Sequence, residues 1–110
     1  MKRILYLFLE NSPIALEAMQ AIKDSGFNGT VVETISLRHA MEGSLPEETH
    51  FFSLMNWNVM NDQESTLSMY LVDEERVGAL KEAIREHTDG FKKVKGAMFT
   101  KKIEDYEGTI

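Results

Sequence analysis

A strand that runs without a break into a helix constrains this chain more than any other stretch. Thr66 to Val72 (Thr-Leu-Ser-Met-Tyr-Leu-Val) alternates with period two, and the apolar positions that follow, as far as His87, recur with a period near 3.6. Asp73 stands at the expected N-cap, with Glu74 and Glu75 in the first turn, where the helix dipole favours negative charge. Val77, Leu80, Ala83, Ile84 and His87 fall on one face; Lys81, Glu82, Arg85 and Glu86 fall on the other. Gly90 sits where a left-handed C-cap closes a helix. Such a strand enters a sheet, and its helix folds back to cover it.

The first part of the chain contains the same unit. Arg3 to Glu10 is apolar at every interior position, which predicts a strand covered on both faces. Asn11-Ser12-Pro13 then starts a helix, Ser12 as cap and Pro13 in the first turn, where a missing N–H costs nothing. Ala15, Ala18, Met19 and Ile22 form its inner stripe, and Gly26 ends it. Thr30 to Leu37 reads as a second strand, with Val31, Ile35 and Leu37 on one face and Val32, Thr34 and Ser36 on the other. Glu33 interrupts the first of these faces, as at a sheet edge or a subunit boundary. Val94 to Ile103 is the last strand, and its Gly96 is a place for a bend or a close backbone approach.

Strand, helix, strand, long connection, strand, helix, strand predicts an α+β fold, the ferredoxin-like βαββαβ sandwich, with a four-stranded antiparallel sheet and both helices on one face. The first strand is apolar on both sides, so the face away from the helices needs a cover. A second copy of the chain supplies one, and the long connection folding back supplies another.

That connection, Arg38 to Gln63, has 26 residues, more than a compact domain needs. Phe51, Phe52, Leu54, Met55, Trp57, Val59 and Met60 crowd together in it, a composition unlike that of disordered segments. Ser44-Leu45-Pro46-Glu47 resembles a capping box, which predicts an extra short helix from about Leu45 to Met55. Phe51, Phe52, Met55 and Trp57 are candidate contacts to a partner or a sister chain; completing the domain's own core is the alternative.

Composition limits the functions open to the chain. Its 110 residues make one domain, and the absence of cysteine removes disulfides, thiol catalysis and cysteine-bound metals. A net charge of -6 makes it a poor nucleic-acid binder, because Lys and Arg supply most affinity for phosphate backbones. The charge is uneven: residues 41–90 hold 11 acids against 3 Lys or Arg, whereas residues 91–110 hold 5 Lys against 3 acids. Lys92, Lys93 and Lys95 are therefore the one anion-seeking cluster, unless they are simply a solvated turn. With no cleavable signal and no long apolar run, a cytoplasmic protein without direct membrane insertion is expected.

No catalytic residue is assigned, since no nucleophile elbow, phosphate-binding loop or dinucleotide fingerprint occurs. His39, His50 and His87 include no helical i, i+4 pair, and no metal site is assigned to them.

The order of elements, the beginning Met1-Lys2-Arg3-Ile4, the segment Leu71-Val72-Asp73-Glu74-Glu75 and the ending from Lys95-Gly96 to Ile103-Glu104-Asp105-Tyr106 are similar to segments of the P-II signal-transduction superfamily. The resemblance spans nearly the whole chain and rests on pattern more than identity. It implies a homotrimer whose sheets pack around a central axis, with adenine nucleotides or other small anions bound in clefts between subunits and a protein target met through the long connection. The matching positions are Ser36, Leu37, Arg38 and His39 on one side of a cleft, and Gly90, Lys92, Lys93, Lys95 and Gly96 on the other. Ala97 stands where that family carries a phosphate-binding lysine, the ending Glu107-Gly108-Thr109-Ile110 has no arginine, and the connection has no tyrosine to be uridylylated. Ferredoxin-like sheets also serve small cofactor-independent enzymes, often dimeric oxygenases or isomerases. By that analogy His50 is an acid or base in a pocket with Phe51 and Trp57.

Overall fold

Alternating burial along the strands sets the layers of the molecule. The structure, a computed structural model, describes residues 1–35, 41 and 65–109. In order these form β1 (Lys2–Glu10), α1 (Pro13–Asp24), β2 (Thr30–Thr34), β3 (Ser65–Asp73), a single 3-10 turn (Glu74–Arg76), α2 (Val77–Thr88) and β4 (Gly96–Lys102). The strands lie in the order β2-β3-β1-β4, and each neighbouring pair is antiparallel. An α+β chain with an open four-stranded antiparallel sheet and two helices results, compatible with a ferredoxin-like fold.

Register assigns each side chain to a face. Leu5, Leu7 and Leu9 of β1 lie opposite Tyr70, Ser68 and Thr66 of β3, and all six are buried. Onto this face pack Ala15, Ala18 and Ile22 of α1 and Val77, Leu80 and Ile84 of α2. Each fully buried leucine or isoleucine here contributes roughly 2 to 3 kcal/mol of transfer free energy. The buried hydroxyls have partners: Thr66 Oγ1 donates to Asn11 Oδ1 at 2.7 Å, and Thr88 Oγ1 donates to the Ile84 carbonyl at 2.7 Å.

The first helix starts as its sequence requires. The Ala15 amide donates to Ser12 Oγ at 3.0 Å, and Pro13 occupies the first helical turn. The second helix departs from expectation at both ends. Asp73 makes no cap hydrogen bond; its carboxylate reaches Lys2 Nζ across the sheet at 2.7 Å, and the chain passes through the 3-10 turn before α2 begins. At the other end Thr88, not His87, takes the inner position, since 80, 84 and 88 follow one another at steps of four. His87 is exposed. The left-handed cap is Asp89, followed by Gly90 and Phe91, which also have positive φ.

The outer strands are shorter than the sequence predicts. Ile35 lies beyond the end of β2, and Val94, though buried, precedes β4. The helix expected at Leu45 to Met55 falls outside the described residues.

Gly78 lies in the first turn of α2 with nothing within 4 Å of where a Cβ would sit. Gly78→Ala is expected to raise the unfolding free energy by about 0.5 to 1 kcal/mol, by removing backbone freedom from the unfolded chain. A shift of the urea midpoint to higher concentration at constant slope is the check.

Candidate functional site

The face of the sheet turned away from the helices is apolar through its middle. Ile4, Tyr6 and Phe8 of β1 stand between Leu71, Met69 and Leu67 of β3 on one side and Lys101, Phe99 and Ala97 of β4 on the other. Val32 extends the patch onto β2 opposite Leu67. Tyr6 stacks on Phe99 with ring centroids 5.0 Å apart, and Phe8 lies 6.5 Å from the same ring. Phe99 is 50 % exposed and Phe8 36 %.

Polar groups ring one end of this patch. Lys2 and Asp73 are a register pair there, and Lys101 lies opposite Ile4. The Lys2 ammonium hydrogen-bonds the Asp73 carboxylate, holding that carboxyl below its usual range and raising the Lys2 amine. An apolar centre with a charged rim is the anatomy of a protein–protein interface.

The turn from α2 into β4 carries the candidate anion ligands. Asp89, Gly90 and Phe91 have φ of 53°, 63° and 64°, and only the glycine adopts such values without steric cost. Thr88 holds the turn in place. Its hydroxyl accepts from the Phe91 amide at 3.1 Å, and its carbonyl accepts from the Lys92 and Lys93 amides, each at 3.1 Å. Phe91 packs against the core, and Val94 is buried. Lys92, Lys93 and Lys95 remain exposed on this pinned backbone. The Glu10 amide donates to the Lys95 carbonyl at 2.8 Å, tying the end of the turn to β1.

Of the ligand-binding candidates, Gly90, Lys92, Lys93 and Lys95 thus lie in one short turn, and Gly96 opens β4 directly after it. Gly96 has a structural task as well, because a Cβ there would collide with the Phe8 carbonyl oxygen. Ser36, Arg38 and His39, and the contact candidates Phe51, Phe52, Met55 and Trp57, lie outside the described residues. The aromatic trio Tyr6, Phe8 and Phe99 was not singled out from the sequence. Its signal was the aromatic i, i+2 spacing in the first strand together with a matching aromatic in the last.

Among the described residues no helix is long and apolar enough to cross a membrane. The sequence matches no family model and no curated protein.

Proposed function

We propose that this chain is a P-II-like signalling or adaptor protein of ferredoxin-like βαββαβ fold, a homotrimer that binds a small anionic effector such as an adenine nucleotide between subunits. The 38–63 connection meets the protein target. One observation carries this reading: the stacked, exposed aromatic patch of Tyr6, Phe8 and Phe99 on the sheet face that neither helix covers. An apolar surface of this extent is an association site, and identical chains packing face to face around an axis cover it symmetrically. The turn of Lys92, Lys93 and Lys95 supports the ligand half of the proposal, since Thr88 fixes the backbone that carries the three cations before an anion arrives.

A thermal-shift series with ATP, ADP, phosphate and sulfate tests the ligand half. At a hundredfold excess over Kd a ligand that binds only the native state adds about 2.7 kcal/mol. A rise in Tm of several degrees is expected with an adenine nucleotide, and Lys92→Ala combined with Lys95→Ala is expected to abolish it. An undiminished shift in the double variant removes these lysines from the site.

A further inference from the structure

β2 ends the sheet among the described residues, and it is short of cover in two directions. Among the described residues no strand lies beside its outward amides and carbonyls, and α1 does not close over its helix-side face. Between α1 and β2 lie two adjoining cavities of about 350 and 210 Å³, joined through Leu16, Met19 and Val31 into one groove. Leu16 is 69 % exposed and Val31 50 %. Opposite charges mark the groove's ends. Glu33 lies at one, beside Ser12 and Thr66; Lys23 lies at the other, beside Gln20 and Asn28. Neither forms an ion pair among the described residues.

The two edges of the sheet differ in their protection. β4 carries exposed Lys101 and Lys102, the kind of charge that deters strand pairing. β2 reads Thr-Val-Val-Glu-Thr, β-branched at four of its five positions, without lysine, proline or a bulge.

We infer that β2 accepts an extended segment of another protein as a fifth, antiparallel strand, and that the segment has the pattern basic–x–apolar–x–acidic from its N-terminus. Main-chain hydrogen bonds to the edge supply affinity, and alternate side chains entering the groove supply specificity. Strand geometry sets the pattern. Val31 and Glu33 share the helix-side face, two residues apart, so the segment's basic residue meets Glu33 and its apolar residue meets Val31, Leu16 and Met19. Two residues further on, beside Gly29, the segment reaches Lys23, which takes the acidic residue. The groove lies across the sheet from the aromatic patch, on the side of the helices.

The test is a titration of the isotopically labelled full chain, followed by amide NMR, with the blocked peptide Thr-Lys-Thr-Leu-Thr-Glu-Thr and its charge-reversed form Thr-Glu-Thr-Leu-Thr-Lys-Thr. Saturable shifts confined to residues 16–23 and 28–34 are expected for the first, with the reversed peptide about tenfold weaker. Exchanging the protein's charges, Lys23→Glu with Glu33→Lys, is expected to invert that order. Both exchanged residues are exposed, so this variant keeps the core intact. Equal affinity for the two peptides, shifts centred on Tyr6 and Phe99, or no saturable binding would overturn the inference. So would concentration-dependent shifts of residues 30–34 without peptide, which would assign the edge to a second copy of the chain.

Discussion

Gly96→Ala is expected to lower the unfolding free energy by about 3 kcal/mol, the high end of what overpacking costs. The new methyl group would meet the Phe8 carbonyl oxygen and come within 2.9 Å of Leu9 Cδ2. Leu9 could adjust; the Phe8 carbonyl cannot. β1 is held between β3 and β4 along its whole length, so relief would require breaking part of a ladder. Urea unfolding followed by circular dichroism measures the loss, and a midpoint equal to the wild type would refute the close approach. Gly96 is therefore unsuited to test ligand binding, because any loss of binding in that variant reports the sheet.

Phe99→Glu is expected to have the opposite profile, leaving the fold intact and dissolving the assembly. Its ring lies on the face away from Leu5, Leu7, Leu80 and Ile84, so the core between sheet and helices is untouched. In a packed interface each subunit would then bury an unpaired carboxylate between Tyr6 and Phe8, a penalty of several kcal/mol per charge. Sedimentation velocity is expected to show a monomer at micromolar concentration, with an unchanged far-ultraviolet spectrum. An unchanged sedimentation coefficient would place Phe99 outside the contact.

How much of this was legible in the sequence differs from element to element. Period-two alternation from Thr66 to Val72 gave the strand but not its buried face: Leu67, Met69 and Leu71 are the apolar alternate positions, yet the buried side carries Thr66, Ser68, Tyr70 and Val72. Ser12-Pro13 gave the start of α1, since its cap is a local interaction. Glu33 marked an edge, and β2 is an edge strand among the described residues. Asp73 misled because a capping residue also has a tertiary option: Lys2, 71 positions earlier, lies opposite it in register and captures its carboxylate. His87 misled because helical phase is uncertain by one residue near a terminus, and Thr88 satisfies its own hydroxyl against Ile84. On the functional side, Lys92, Lys93 and Lys95 were legible as a cluster. The succession of positive-φ residues that fixes their backbone was not, because Phe91 carries no preference for it and the preference of Asp89 is too weak to place it. The groove between α1 and β2 was also hidden, as it depends on how far the helix reaches across the sheet. Residue periodicity does not encode that distance.

The mass of the wild-type protein in solution bears most directly on all of this. Light scattering behind size exclusion at micromolar concentration is predicted to give about three times the 12.6 kDa of one chain. A well-folded species of 12.6 kDa would contradict it, leaving Tyr6, Phe8 and Phe99 without sister chains and the intersubunit site without its second wall.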